Sequence, residues 1–191
     1  MATANRSLQR LLFLGDSMIE YYDWQQRFPG RTVRNLGIAG ETVEELLGRM
    51  PRILAEPPPD LILIMTATNN VAMEDQGFGI AYGVILDYLR KGFPQAVLVV
   101  NSLLPFTLPW LGPAAASTAN EILRNLAQEK QAVYFDVFPK FVDSSGAARR
   151  EYFLDDGVHL CEAGYLAWAE EIAALLERLA VTERHYKGVE G

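Results

Sequence analysis

Two runs of this chain, Leu61–Thr66 and Ala96–Asn101, carry apolar side chains at odd and even positions alike. Because successive side chains of a strand point to opposite faces, such runs are typical of strands that are covered on both faces, as in a parallel sheet. Three further apolar runs end at turn residues and are predicted to be strands: Leu11–Leu14, Thr32–Leu36 and Val133–Asp136. Helical patterns separate the five runs, which predicts a three-layer α/β domain with a five-stranded parallel sheet.

The segments between these runs carry signals of helix ends and helix faces. Thr42-x-x-Glu45 and Thr118-x-x-Glu121 have the spacing of a capping box, so each predicts the start of a helix. Two longer helices are predicted at Phe78–Lys91 and Ala163–Ala180 from apolar residues at helical spacing. Their expected buried positions are Ile80, Val84, Ile85, Tyr88 and Leu89 in the first, and Leu166, Ala169, Ile172, Leu176 and Leu179 in the second.

The composition excludes several classes of function. A net charge of -7 argues against binding to nucleic acid or to an anionic membrane surface, which require clustered Lys and Arg. One cysteine and two histidines cannot form a Cys/His zinc cluster, and no metal site is expected. No apolar run approaches the length of a membrane span, so we expect no stable membrane insertion and a cytoplasmic protein. Residues 1–181 are predicted to form one domain and residues 182–191 a C-terminal tail.

Ser17 follows the first predicted strand, in Gly15-Asp16-Ser17, and two interpretations are open. Serine is a preferred N-cap of helices, and it is also a nucleophile when a base activates it. Histidine is the commonest base, and His185 falls in the predicted tail, which leaves His159. Asp156 precedes His159 by three residues and could orient the imidazole, with Asp155 as a competing candidate.

Polar residues also follow the second and third predicted strands. Gly40 comes after the second, where a glycine lets a backbone N–H approach a ligand closely, and Asn69 and Asn70 come after the third. Each of these residues alone could serve only a turn or a helix cap. Because a parallel sheet gathers the carboxyl ends of its strands at one edge, all of them are expected to meet Ser17 and His159 there.

Four blocks of the chain resemble those of the GDSL esterases of the SGNH hydrolase superfamily, over residues 11–180. The blocks are Gly15-Asp16-Ser17, Asn35-Leu36-Gly37-Ile38-Ala39-Gly40, Ala67-Thr68-Asn69-Asn70 and Asp156-Gly157-Val158-His159. Within that superfamily the chain is most similar to the catalytic subunits of platelet-activating-factor acetylhydrolase and to bacterial lysophospholipase-like esterases. The resemblance implies a flavodoxin-like sheet of order 2-1-3-4-5. It also implies a serine esterase without a cofactor.

By the same resemblance, each block contributes a defined role. The nucleophile is Ser17, the base is His159 and its orienting acid is Asp156. The oxyanion hole consists of the backbone N–H groups of Ser17 and Gly40 and the side-chain amide of Asn69. The family usually has glycine where this chain has Ala67. If that position requires a positive φ, Ala67 is expected to strain the loop that carries Asn69.

The substrate is less constrained by the sequence than the reaction. We expect a small-molecule ester with a short acyl or acetyl group, or a lysophospholipid-like ester, and contacts from Trp24, Asn70, Phe106 and Trp110. Tyr21, near the nucleophile, belongs to the same aromatic set. The apolar loop 103–113 is either a pocket wall or an interface, and a homodimer is left open. The alternatives are a thioesterase or carbohydrate O-acetylesterase with the same site and, more remotely, a non-catalytic flavodoxin-like binding module.

Overall fold

The computed structural model describes the backbone of residues 8–186 and the side chains of residues 8–180. Five strands in this range form one parallel sheet, as the apolar runs predict. They are β1 (Arg10–Gly15), β2 (Thr32–Gly37), β3 (Leu61–Met65), β4 (Val97–Asn101) and β5 (Val133–Phe135). The strands β1, β3 and most of β4 are buried on both faces, which accounts for their unbroken apolar sequences.

The strand order is β2-β1-β3-β4-β5, which confirms the predicted order. The register pairs Gly15 at the end of β1 with Gly37 at the end of β2 and with Met65 at the end of β3. The three central loops therefore leave the sheet at the same level. This alignment is what brings the segments after β1, β2 and β3 together at one edge.

Helices flank both faces of the sheet. Within the described range they are α1 (Ser17–Glu20), α2 (Trp24–Arg27), α3 (Val43–Gly48), α4 (Met50–Leu54), α5 (Thr68–Ala72), α6 (Gly79–Gly92), α7 (Ala115–Glu129) and α8 (Glu162–Tyr186). Two 3-10 turns, Phe138–Phe141 and Arg150–Tyr152, lie between β5 and α8. The helices α3, α4, α6 and α7 contact one another, whereas Trp24 of α2 packs against Trp168 of α8.

Two predictions about the helices need correction. Thr42 and Glu45 do form a capping box, but α7 begins at Ala115, so Thr118 lies inside its first turn and caps nothing. The side chains of Ile80, Val84 and Tyr88 are exposed, because α6 buries its opposite stripe, on which Tyr82, Ile85, Leu86 and Leu89 lie. Apolar residues on two stripes make the buried face of this helix ambiguous from the sequence.

The last helix is longer than the sequence predicts. α8 continues to Tyr186, beyond the predicted end at Ala180, so residues 182–186 of the predicted tail have helical backbone. The remainder of that tail, residues 187–191, lies outside the described residues. No helix in the described part of the chain combines the length and the apolar character that crossing a membrane requires.

An aromatic cluster supports the helix that carries Ser17. The Trp24 side chain is only 1% exposed and donates its indole N–H to the Ile19 carbonyl of α1 at 2.8 Å. Edge-to-face contacts join Trp24 to Phe13 of β1 and to Trp168 of α8, with ring centroids 5.2 and 5.1 Å apart. Such pairs add about 0.5–1.5 kcal/mol each beyond the area that they bury. The aromatic cluster therefore packs beneath α1 and supports it.

Candidate active site

The backbone turns sharply between β1 and α1 and presents Ser17 at the sheet edge. Gly15 has no room for a side chain, since a Cβ there would lie 2.0 Å from the Met65 carbonyl oxygen. Asp16 is the N-cap, and its carboxylate accepts the Met18 N–H at 3.0 Å. The capping interpretation of Ser17 is therefore wrong: Ser17 is the first helical residue, and among the described residues its N–H has no acceptor.

The structure brings Ser17, His159 and Asp156 into one hydrogen-bonded chain. The Ser17 Oγ lies 2.9 Å from His159 Nε2, and His159 Nδ1 lies 2.8 Å from Asp156 Oδ2. The second carboxylate oxygen of Asp156 accepts the backbone N–H groups of Val158 and His159, each at 2.9 Å. Asp155, the competing candidate, makes no hydrogen bond to the imidazole among the described residues. This arrangement has the geometry of a nucleophile, a base and an orienting acid.

The electrostatics of Asp156 suit that arrangement. Partial burial raises its pKa, but the backbone N–H groups of Val158 and His159 and the imidazole outweigh this effect and hold the pKa below its usual range. Asp156 is therefore ionised at neutral pH. A fixed carboxylate at Nδ1 selects the tautomer in which Nε2 can accept the Ser17 proton, and it stabilises the imidazolium that follows.

Gly40 lies in an exposed loop between β2 and α3, where its φ is +78°. Glycine adopts this left-handed conformation readily, whereas other residues do so with strain. Among the described residues the Gly40 N–H has no acceptor. It is thus a backbone donor still available at the same edge as the Ser17 N–H.

Asn69 lies in α5, directly after β3, and its side-chain amide donates to the Glu41 carbonyl at 3.0 Å. That bond uses one of the two amide hydrogens and leaves the other available. The Glu41 carboxylate is buried and accepts from Arg49 Nε at 2.5 Å and Nη2 at 2.7 Å. The ion pair fixes the backbone from which the carbonyl partner of Asn69 projects.

Ala67 does stand in the strained conformation that the sequence analysis anticipated. Its φ is +95° and its ψ is -1°, at the N-cap of α5, two residues before Asn69. A residue with a Cβ pays about 1–2 kcal/mol in the left-handed region, a cost that the usual glycine avoids. The buried surroundings of Ala67 hold it there.

Two of the expected substrate contacts, Trp24 and Asn70, are structural instead. Trp24 belongs to the aromatic cluster beneath α1 and does not reach the surface. Asn70 is 1% exposed: its Oδ1 accepts the Val43 N–H at 3.0 Å, and its amide donates to Glu44 and Asp75 at 2.8 Å each. With its polar atoms all engaged, Asn70 ties α5 to the start of α3.

The sequence analysis missed two residues that connect the loops. Asn35 on β2 donates its amide to the Ile19 carbonyl at 2.8 Å, and its Oδ1 accepts the Gly37 N–H at 2.9 Å. Glu20, the last residue of α1, accepts the Ala39 N–H at 2.7 Å. The hydrogen bonds from Asn35 to Ile19 and from Ala39 to Glu20 each join residues more than 15 positions apart, so no local pattern predicts them. Together they fasten the Gly40 loop to the helix that carries Ser17.

Asp16 carries a second carboxyl close to the nucleophile. Its burial raises its pKa to about 6, against the opposing effects of the Met18 N–H, Thr68 and His159. Although Thr68 is near enough to lower the pKa, neither Asp16 Oδ2 nor Thr68 Oγ1 has a well-formed hydrogen bond among the described residues. A buried carboxylate with one oxygen that lacks a hydrogen-bond partner is unfavourable when charged, which agrees with the raised pKa.

The loop 103–113 lies against both sides of the site. The Thr107 N–H donates to the Gly157 carbonyl at 2.8 Å, within the turn that carries Asp156 and His159. The Trp110 indole donates to the Ala72 carbonyl at the end of α5 at 2.9 Å. Phe106 is half-buried and Trp110 is largely exposed. The placement leaves these two residues beside the site, and their contact with a substrate stays a prediction.

No cluster of three or more His, Cys, Asp or Glu side chains suited to a metal ion occurs in the part of the chain that the structure describes. Cys161 is half-buried, with its Sγ 3.2 Å from the Glu151 carbonyl oxygen. Ser17, His159 and Asp156 lie at this edge together with the nearby N–H donors. Such a set can attack a carbonyl and hold the resulting oxyanion.

Comparison with known proteins gives matches that cover most of this chain. Residues 13–167 match the model of the GDSL-like Lipase/Acylhydrolase family. The platelet-activating factor acetylhydrolase IB subunit alpha1 of Rattus norvegicus is 27% identical over 181 residues, covering 91% of this chain and 78% of that protein. An arylesterase of Vibrio mimicus is 25% identical over 187 residues, and the match covers 83% of this chain and 84% of the arylesterase.

A solved structure extends the similarity to the fold. The GDSL-like lipase from Bacteroides thetaiotaomicron superposes with a TM-score of 0.73 at 22% sequence identity. The match covers 94% of this chain and 93% of the other. At this identity the likeness concerns the fold, and it includes nearly the whole of both chains.

Proposed function

The chain belongs to the GDSL-like lipase/acylhydrolase family, and from that membership we propose that it hydrolyses small carboxylic esters through an acyl-enzyme on Ser17. The single observation that carries this proposal is the unbroken hydrogen-bonded chain from Ser17 Oγ through His159 to Asp156, with distances of 2.9 and 2.8 Å. The serine is thereby connected to a base whose orientation is already fixed.

In the proposed mechanism His159 Nε2 removes the Ser17 proton as Oγ attacks the ester carbonyl. The carbonyl oxygen becomes an oxyanion, which the N–H groups of Ser17 and Gly40 and the Asn69 amide stabilise. Each such donor is worth about 2.7–4 kcal/mol in the transition state. The imidazolium of His159, stabilised by Asp156, then protonates the leaving alcohol.

Deacylation repeats the same steps with water. His159 takes a proton from a water molecule as it attacks the acyl-enzyme, and the tetrahedral intermediate collapses with Ser17 as the leaving group. Every proton transfer in the cycle uses His159 Nε2. The reaction as proposed needs no cofactor.

The test is hydrolysis of p-nitrophenyl acetate by the 191-residue protein and its variants. Ser17→Ala and His159→Ala are each expected to lower kcat roughly 10⁴- to 10⁶-fold, the range of losses measured when a serine protease loses one residue of its catalytic triad. His185→Ala is the matched control, because His185 is the other histidine of the chain and has no part in the proposed cycle. A fluorophosphonate probe should label the unaltered protein at Ser17 and leave Ser17→Ala unlabelled.

A kcat close to that of the unaltered protein in either Ser17→Ala or His159→Ala would contradict the proposal. A panel of acetyl, longer acyl, thioester and acetyl-sugar substrates would then define the substrate among those the same site could attack. A higher kcat/KM for a thioester or an acetylated sugar than for every simple ester tested would replace the proposed ester substrate while retaining the mechanism.

A further inference from the structure

The position of the leaving group follows from the geometry of His159, if the site acts as proposed above. Nε2 lies 2.9 Å from Ser17 Oγ and must also protonate the leaving oxygen. The alcohol part of the ester is therefore next to the accessible side of the imidazole, of which 29% is exposed. Side chains that border His159 at the surface are in position to contact that alcohol.

Tyr21 is one such side chain. It follows α1 directly, and its ring centroid lies 5.4 Å from that of His159, with the two planes inclined at 40°. Tyr21 is 58% exposed, whereas Trp24 is buried and Tyr22 is partly buried, and both of these pack within the aromatic cluster. Tyr21 thus presents an open aromatic face beside the imidazole.

Leu154 is joined to His159 through the backbone. Its backbone N–H donates to the His159 carbonyl at 2.7 Å, and its side chain is 50% exposed. Leu154 and His159 are thereby held together across the turn that also contains Asp156 and Gly157. The surface beside the imidazole therefore includes the ring of Tyr21, and the exposed Leu154 is carried by the same turn as His159.

We propose that Tyr21 and Leu154 form the subsite for the leaving alcohol, and that this subsite selects esters of aromatic alcohols over those of small alkyl alcohols. An aromatic leaving group can stack on Tyr21 or meet its edge, and it covers Leu154 from water. A methyl or ethyl group is too small to do either. Binding energy gained at this position is realised as the leaving group departs, so it appears in kcat/KM.

The experiment compares phenyl acetate with ethyl acetate, which share one acyl group and differ in the leaving alcohol, by pH-stat titration. For Tyr21→Ala, kcat/KM for phenyl acetate should fall about 10-fold, the range of one aromatic contact, whereas the value for ethyl acetate should change less than about twofold. Tyr21→Phe should retain the unaltered value because the ring carries the contact. Leu154→Ala should show a smaller loss that is likewise confined to phenyl acetate. Tyr88→Ala, on the exposed face of α6, is the matched control.

Equal losses on both esters in Tyr21→Ala would overturn the inference, because they would mean that Tyr21 acts only by positioning His159. Unchanged kinetics on both esters would overturn it as well. If the unaltered protein hydrolyses neither ester, the proposed function itself fails, and this inference fails with it. The unaltered protein thus reports on the function, and the ratio between the two substrates reports on the subsite.

Discussion

The Glu20 carboxylate accepts the Ala39 backbone N–H at 2.7 Å, so the helix that bears the nucleophile is fastened to the loop that bears Gly40. Glu20 is three residues after Ser17, and Ala39 immediately precedes Gly40. The bond therefore sets the spacing between two of the proposed oxyanion donors, the N–H groups of Ser17 and Gly40. Gly37 allows the approach, since a Cβ there would lie 2.4 Å from the Glu20 nitrogen.

Replacement of Glu20 should expose this positioning role. Glu20→Ala is expected to lower kcat for p-nitrophenyl acetate about 10- to 100-fold with KM nearly unchanged, because a displaced donor weakens the transition state more than the ground state. Glu20→Gln keeps an acceptor for the Ala39 N–H and should recover most of the activity. Glu170→Ala, on the exposed side of α8, serves as the control. A rise in KM alone would count against the role.

Ala67 should tolerate glycine unusually well. Removing a buried methyl group costs about 0.8 kcal/mol, and the greater freedom of glycine in the unfolded chain costs about 0.5–1 kcal/mol more. Relief of the left-handed conformation returns about 1–2 kcal/mol, so Ala67→Gly should leave the free energy of unfolding nearly unchanged. Ala169→Gly, equally buried but within α8, should lose about 1.5–2 kcal/mol. Similar losses in urea unfolding of the two variants would contradict the strain at Ala67.

Asn70 should not tolerate aspartate, although the two residues have almost the same shape. Its amide donates to the carboxylates of Glu44 and Asp75, and a carboxylate in its place would face both without a hydrogen to share. Asn70→Asp is expected to lower the free energy of unfolding by about 2–4 kcal/mol at pH 7.5.

The pH dependence distinguishes repulsion from a packing defect in that variant. The new carboxyl would have a raised pKa in the folded protein, so its destabilisation should shrink as the pH falls toward 5 and the group binds a proton. Urea unfolding at both pH values measures this. Asn125→Asp, on the exposed surface of α7, should show neither effect. A loss that is independent of pH would exclude the electrostatic explanation.

Asp16 should make the protein less stable at neutral pH than it is in mild acid. Its pKa is about 6 in the folded protein against 3.8 for the free side chain, so between these values the folded state binds more protons than the unfolded state. The contribution of Asp16 to the stability therefore falls as the pH rises through this window. Asp16→Asn keeps an oxygen for the Met18 N–H and should be more stable by about 1–3 kcal/mol above pH 6.

The advantage of Asp16→Asn should vanish near pH 4, where Asp16 is itself neutral. Asp60→Asn is the control with the opposite sign: burial raises the Asp60 pKa, but hydrogen bonds from Arg10 and Gln9 outweigh it and leave the pKa lowered. That variant should lose stability at neutral pH. Urea unfolding between pH 4 and pH 8 follows both. An Asp16→Asn variant less stable than the unaltered protein at pH 8 would refute the assignment.

The sequence predicts those parts of the site that local patterns encode. Asp156 and His159 are three residues apart, and within one turn the carboxylate reaches the imidazole, as the spacing suggested. The strands are equally predictable, because a short, unbroken apolar run that ends at turn residues is typical of a strand buried on both faces. Ala67 could be singled out because its position conflicts with the family pattern, and its φ of +95° confirms the reason.

Contacts between distant segments were not predictable in the same way. Tyr21 and Trp24 are three residues apart and equally aromatic, yet one is exposed beside His159 and the other is buried. The difference is that Trp24 packs against Trp168, which lies far along the chain in α8. From the sequence, Asn70 likewise resembles an amide that binds a ligand. Only the structure shows that its amide donates to the carboxylates of Glu44 and Asp75. Burial of this kind depends on the packed structure.

The backbone of Thr107 lies directly against Gly157 and leaves no room for a side chain there. Gly157 has a φ of +71°, and a Cβ on it would lie 2.7 Å from the Thr107 carbonyl oxygen, while its own carbonyl accepts the Thr107 N–H. The loop 103–113 and the turn of Asp156 and His159 are therefore complementary in shape, although some 50 residues separate them in the chain. An exchange of this loop between homologous proteins would have to carry the facing turn with it, and the two segments are expected to be inherited and engineered as a pair.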